Sequence, residues 1–467
     1  MDDPKAGGCP QCAELMAKIA ELVARQEKLE AELARLRKNS STSSKPPSSD
    51  IVKPPKPPTK GKRKRKQGAQ SGHPRHQRPP FSLEEIDKTW DYHLAVCPDC
   101  GGRVESSDEP PRIIHQVEII PRPIEITQHR GMACYCSRCQ KTHLAPIDEP
   151  VVRAGLVGPR LSALVAYLKG VCHCSFSTIR KFLRDVACVT ISRGQLAKLI
   201  AKVSESMKGT YELLLGMLPD ESFLNVDETG HKDRGQRMWT WCFRAPLFTM
   251  FKIAPSRGSE VLVEVLGREF DGVLGCDYFS AYRKYMGDCG VLVQFCLAHL
   301  IRDLKFLAEH PDPRNQSYGR RVLDGTRALF DVIHRRHLMK PETVTATLKI
   351  LGKVLCQTAV TDVPGSTEAR NLARRFKKHG ESYIRFITTP GIEPTNNLAE
   401  QAIRFVVIDR HITQGSRSET GQRWLERIWT IVATCTQQGC SVFDFLLEAV
   451  RASFHGEPAP ALIPDTS

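Results

Sequence analysis

Residues 39–83, "NSSTSSKPPSSDIVKPPKPPTKGKRKRKQGAQSGHPRHQRPPFSL", hold almost no large apolar side chain. Proline, serine, glycine and lysine dominate, so this stretch cannot bury enough surface to offset the entropy of ordering it. It is expected to be a disordered basic linker, and it divides the 467-residue chain into a short N-terminal part and a long C-terminal one. Between Ile51 and Leu83 lie ten Lys/Arg and no Asp or Glu, which supply +10 of the net charge of +15. Such a tract favours a polyanion, most commonly nucleic acid, and its bland alternative is a solubilising tail. Lys62, Arg63, Lys64, Arg65 and Lys66 are its candidate phosphate contacts.

Ahead of the linker, residues 12–38 carry leucines at 15, 22, 29 and 36, a strict seven-residue repeat. With these at d, the a positions are Cys12, Ile19, Gln26 and Leu33. One polar a position beside a leucine seam is how short parallel coiled coils set register. A homodimer or higher assembly through this helix is expected, against a lone amphipathic helix packed on its own chain. The opening "MDDPKAGGCP" lacks a signal-peptide apolar region, and no apolar run approaches the ~20 residues that span a bilayer. A cytoplasmic protein without membrane contact is therefore expected.

In a reducing compartment, cysteines paired at fixed spacing point to metal rather than to disulfides. Of the 17 cysteines, Cys97/Cys100 ("CPDC") and Cys136/Cys139 ("CSRC") frame alternating segments such as "HQVEIIPRPIEITQHR". Two knuckles joined by hairpin material make a zinc ribbon, expected over 84–150, with four thiolates holding one structural Zn²⁺. Cys134 and His143 stand as substitute ligands, and Gly101 and Gly102 free the turn. Cys9 and Cys12 lack a second pair nearby and stay unassigned. Cys188, Cys242, Cys276, Cys356 and Cys435 sit among apolar residues and read as core positions.

Residues 151–220 show helical periodicity, with serine starts at "SFSTIRKFL" and "ISRGQLAKL" that suggest a helix-turn-helix-like arrangement. At Phe223 the period changes to strands: "SFLNVDETG", "RMWTWCFRA", "LFTMFKIAPSRG", "FDGVLGCDYFSAY" and "GVLVQFCLAH", with a helix at about 259–266. Residues 221–300 thus begin an α/β or α+β core, 301–393 are helical and basic, and 394–455 return to the core and end in helices. The whole is a multidomain α+β chain.

Asp227 and Asp277 are each expected at a strand end, where a buried carboxylate is costly unless paired or bound to a cation. In "PTNNLAEQAIRF", Thr395 is expected to cap a helix that buries Leu398, Ala402 and Phe405, with Glu400 between Asn396 and Arg404. Three carboxylates from two strands and one helix suit two Mg²⁺ (or Mn²⁺) ions in phosphoryl transfer. Glu228 and Glu393 are rivals. Glu228 should point to the other face of its strand from Asp227, and Glu393 precedes Pro394 outside the helix. Cys296 and His299 form a Cys-x-x-His pair with no second pair, so it is expected to orient the active-site strand or to pack structurally rather than bind zinc.

"NVDETG", "GCDYFSAY", "CLAH" and "NNLAEQAIR", with the upstream heptads, "NSSTSSKPPSSD" and the double knuckle, resemble the insertion sequence 66 family transposases. The resemblance runs along essentially the whole chain. It implies an RNase H-like core, catalytic Asp227, Asp277 and Glu400, and an all-helical insertion spanning the 400 − 277 = 123 positions between the last two. It also implies DNA partners, namely terminal inverted repeats and target DNA, accessory proteins of the same element, and a nucleoid-associated location. The sequence departs from the family at Gln401, where Arg is usual, and at Asp409-Arg410-His411, where a basic pair in a following strand is usual. Arg404 and Arg410 remain candidate phosphate contacts, and Asn396 and Asn397 candidate polar supports or DNA contacts. Two other readings use the same residues: a non-catalytic zinc-ribbon regulator, and an RNase H-like nuclease that does not join strands.

Overall fold

The computed structural model describes residues 10–36, 81–103, 105, 110–120 and 123–463. Cys9 and most of the basic linker, Lys62 to Lys66 included, lie outside the described residues. The chain divides into two units, one of residues 1–54 and 124–467 and one of residues 55–123.

In the first unit, α1 (Pro10–Leu36) leaves Leu15, Leu22, Leu29 and Leu36 all more than half exposed. Near its end Arg35 pairs with Glu368 at 2.7 Å. The hairpin β1 (Ala133–Cys136) and β2 (Lys141–Leu144) forms a separate two-stranded sheet. The alternating stretch ahead of it forms no strand among the described residues from 110 to 132. Ile113, Ile114, Ile119, Ile120 and Ile126 are exposed and Ile124 alone of its described isoleucines packs partly against the core, so the face that alternation would have buried is left largely open.

A helical layer follows: α2 (Glu149–Ala154), α3 (Pro159–Gly170), α4 (Phe176–Asp185), α5 (Arg193–Ser206) and α6 (Lys208–Met217). Ser175 and Ser192 cap α4 and α5 by accepting the N–H groups of Thr178 and Gln195, each satisfying a donor that the first turn leaves free. Residues Glu149–Gly170 are long and apolar enough to cross a membrane by length and composition, but they form two helices broken at Gly155, where φ is +70°.

The five-stranded sheet has the order β5-β4-β3-β6-β7, with β3 (Phe223–Asp233), β4 (Gln236–Arg244), β5 (Thr249–Ala254), β6 (Val273–Cys276) and β7 (Leu292–Phe295). The β3-β4-β5 ribbon is antiparallel, whereas β6 and β7 run parallel to β3. Two helices make the crossovers: α7 (Ser259–Leu266), which is the helix expected at 259–266, and α8 (Ser280–Cys289). The edge strand β5 is covered by α14 (Glu419–Gln438). Glu426, Thr430 and Thr434, one turn apart, accept the N–H groups of Ile253, Phe251 and Thr249 at 2.7, 3.0 and 3.1 Å. An edge that would otherwise recruit another strand is thereby closed.

After β7 come α9 (Leu297–Ala308), α10 (Pro313–Arg335), α11 (Pro341–Val360) and α12 (Thr367–Ile384). Then α13 (Asn397–Thr413) returns to the sheet, and α15 (Val442–His455) packs on α3. Cys242, Cys276 and Cys435 are buried as expected, and Cys356 is half-buried. Cys188 is a correction: it is exposed, in a left-handed turn with φ +55° that ends the apolar run.

Candidate active site

Asp227 lies within β3 rather than at its end. The ladder to β6 stops at Asn225, while pairing with β4 continues to Asp233. The sheet therefore opens between β3 and β6 just where Asp227 follows, and Asp277 is the first residue past β6. Glu400 sits in the first turn of α13. The fold thus gathers three carboxylates from three distant segments.

Their electrostatics report the proximity. Burial drives the Asp227 carboxyl far above its usual range, and the charges of Glu228, Asp277 and Glu400 raise it further. Burial also raises Asp277, with Glu400 adding to the rise, against the Phe279 N–H and Arg257. The Glu400 Oε1 atom is buried without a hydrogen-bond partner. Like charges that raise a neighbouring carboxyl in this way are what a cation relieves.

Asn396 fixes how α13 meets the sheet. Buried at 1% exposure, its Nδ2 donates to the Val226 carbonyl at 2.8 Å and its Oδ1 accepts from Asn225 Nδ2 at 2.9 Å. Its backbone N–H donates to Cys296 Sγ at 3.2 Å, and the Leu297 N–H donates to the Pro394 carbonyl at 2.9 Å. Gly275 of β6 makes room for this clamp, since a Cβ there would lie 2.6 Å from Asn225 Nδ2. Asn396 is the N-cap residue and its side chain caps nothing, so the expected Thr395 cap is a correction. The asparagine amide is committed to the strand instead.

The buried face of α13 is also corrected, to Ala399, Ile403 and Val406. Leu398 is exposed and Ala402 and Phe405 are half-buried, so the helix is rotated by about one residue, or 100°. Asp409, Arg410 and His411 continue this helix instead of entering a strand. Asp409 is buried between His173 at 2.9 Å and the Trp429 indole at 3.1 Å. Arg410 donates to Thr229 at 3.1 Å, whereas Arg404 and Asn397 are exposed.

Glu228 takes part in the cluster electrostatically, although it was expected to face away. Arg257 binds it through Nε at 2.7 Å and Nη2 at 2.5 Å, and Tyr282 donates to its other oxygen. Burial and the Asp277 charge push Glu228 up to about 7 despite both partners. The Arg257 guanidinium lies over the rings of Phe279 and Trp239, at 3.9 and 4.8 Å. Glu393 is exposed outside α13, as expected.

His299 Nδ1 and Arg302 Nη2 each lie 3.5 Å from a Glu400 oxygen, and Arg302 Nη1 lies 3.2 Å from His299 Nε2. Burial, and then Arg302, lower His299 to about 4, so the imidazole is neutral near pH 7. Asn225, Gly275, Arg257, Tyr282 and Arg302 were not singled out in the sequence. A polar residue inside an otherwise apolar strand, Asn225, was the one available signal.

The cysteine pairs are described one unit at a time. In the first knuckle, the Gly101 N–H reaches the Cys97 carbonyl at 2.9 Å, with Gly101 at φ +73°. The N–H groups of Cys100 and Asp99 lower the Cys97 thiol from its usual range. In the other unit, the N–H groups of Cys139 and Arg138 do the same for Cys136, and Cys139 Sγ lies 3.6 Å from His143 Nε2.

Residues 1–79 match a family of unknown function. A curated relative, an uncharacterized protein of Sinorhizobium fredii, is 24% identical over 348 residues, covering 68% of this chain. The matched part spans 63% of that relative's length. Residues 154–423, which carry the sheet, the three carboxylates and the helices between them, match the Transposase IS66 family, and on that match over more than half of its length the chain belongs to this family.

Proposed function

We propose that this chain is a DNA transposase that cuts the ends of its own element and joins the freed 3′ ends to target DNA, using Asp227, Asp277 and Glu400. The observation that carries this reading is the convergence of three half-buried carboxylates, in which the Asp277 and Glu400 charges raise the Asp227 carboxyl and the Glu400 charge raises that of Asp277, with a Glu400 oxygen left unpartnered. Family membership supports DNA as the substrate.

An all-oxygen donor set fits Mg²⁺ or Mn²⁺. When bound, such a metal pair activates the attacking hydroxyl and stabilises the leaving oxygen of an in-line displacement. The chain's own residues do the positioning. Asn396 ties the start of α13 to the strand that carries Asp227, and Cys296 anchors the same backbone. His299 and Arg302 orient Glu400. Arg257 balances Glu228, so that the cluster holds one fewer uncompensated charge. Arg404, one turn beyond Glu400 and exposed, is offered to a phosphate. Arg410, engaged by Thr229, serves DNA only by giving up that bond.

The order β5-β4-β3-β6-β7, antiparallel on one side and parallel on the other, supports an RNase H-like core over 221–300 and 394–455. Helices α10 to α12 support a helical insertion over 301–393, and α3 to α6 a helix-turn-helix-like segment over 151–220. The exposed leucines of α1 support a coiled coil that pairs protomers, so that two element ends are held together. The basic linker would add salt-sensitive contacts to both DNAs. The accessory proteins of the element belong to this same reading.

Metal binding tests the site without DNA. Wild-type protein should take up Mn²⁺ in calorimetric titration, and Asp227→Asn and Asp277→Asn should each weaken uptake at least tenfold. Undiminished binding in both variants would refute the assignment. For the zinc ribbon, the N–H groups of each knuckle lower one of its thiols, Cys97 in one and Cys136 in the other, and the two CxxC pairs supply four thiolate ligands. Cys97→Ser should therefore lower zinc content by about one equivalent per chain, and unchanged zinc would refute it.

A further inference from the structure

The Cys-x-x-His pair lacks a partner pair in sequence, but α13 supplies one more ligand in space. Single donor atoms of Cys296, His299 and Glu400 all lie within 4.8 Å of one another. His299 Nδ1 and Glu400 Oε1 face each other at 3.5 Å, too far to bond well, and both are buried without a hydrogen-bond partner. Two orphaned polar atoms beside a buried sulfur form a mixed S/N/O donor set. Such a set suits a borderline-soft ion, whereas the oxygen-only set of Asp227 and Asp277 suits a hard one.

We infer that Cys296, His299 and Glu400 form a capture site for Zn²⁺ or a similarly soft divalent cation. Binding removes the thiol proton to bulk solvent and leaves a fourth position for water or substrate. Arg302 is the ion's competitor, because its guanidinium sits 3.5 Å from Glu400 and 3.2 Å from His299 and must withdraw when the ion enters. Glu400 cannot serve both sites in the same way, so soft-metal capture draws it from the carboxylate cluster. That consequence, reversible inhibition by zinc, rests on the transposase reading, whereas the binding itself does not.

Co²⁺ provides the probe, because thiolate ligation gives a sulfur-to-cobalt band in the near ultraviolet. The full-length chain should show this band together with the intense visible absorption of four-coordinate cobalt. The part due to this site should vanish in Cys296→Ser and in His299→Ala, and persist in Cys188→Ser, which alters an exposed cysteine away from the site. Near-ultraviolet circular dichroism checks that the variants fold, and two chemically different substitutions guard against one that does not. A cobalt spectrum identical in wild type, Cys296→Ser and His299→Ala would overturn the proposal. In a cleavage assay, zinc should inhibit wild type, and a protein without cleavage activity leaves the cobalt result decisive on its own.

Discussion

Glu400→Gln is expected to abolish strand transfer, by more than about 10³-fold, while leaving binding to element ends intact. The substitution keeps the length and shape that fit between His299 and Arg302, and removes one negative charge from a cluster of carboxylates. Its effect on stability should have the opposite sign. With Glu400 neutral, Asp227 and Asp277 lose a repulsive neighbour, so the metal-free variant should unfold at the same temperature or a higher one. A glutamate present only to hold the fold would behave the other way round, with lower stability and proportionate losses in all activities. Retained strand transfer in this variant would sink the catalytic assignment.

The second large effect is expected at Asn396→Ala. The change leaves the Val226 carbonyl and the Asn225 amide without their partner in a buried seam. At about 1–3 kcal/mol for each orphaned group, unfolding should become easier by roughly 2–6 kcal/mol. The same bonds set the distance between α13 and β3, and hence between Glu400 and Asp227. A displacement of about 1 Å there should lower turnover about 10²-fold even where the protein stays folded. Denaturant unfolding and single-turnover rates measured on the same preparation separate the two losses. A variant as stable and as fast as wild type would show that the clamp positions nothing.

The candidate carboxylates were legible in the sequence because chemistry and local pattern coincide there. Largely apolar runs that meet an acid, as in "FLNVDETG" and "VLGCD", are unusual enough to stand out, and the strand periodicity around them fits β3 and β6. What surrounds the carboxylates was not legible, because it depends on pairings across more than a hundred residues. Asn396 to Asn225 is one such pairing, separated by 171 positions. The phase of α13 also escaped prediction. A helix with apolar residues at 398, 399, 402, 403, 405 and 406 has two nearly equivalent faces, and the asparagine bond to β3 selects the one with Ala399 and Ile403. Alternation in "HQVEIIPRPIEITQHR" misled for a related reason. A period of two describes a strand only where another strand or a core lies alongside to cover one face.

On the proposed reading this chain cuts and joins DNA at a half-buried carboxylate cluster. The most direct measurement is an assay with labelled DNA carrying the inverted repeats that flank the gene, supercoiled target DNA, and Mg²⁺ added or withheld. Mg²⁺-dependent nicking at the repeat ends, followed by joining of those 3′ ends to the target, is the predicted result. Binding without cleavage at any Mg²⁺ or Mn²⁺ concentration, as a regulator would give, or cleavage without joined product, as a nuclease would give, would contradict it.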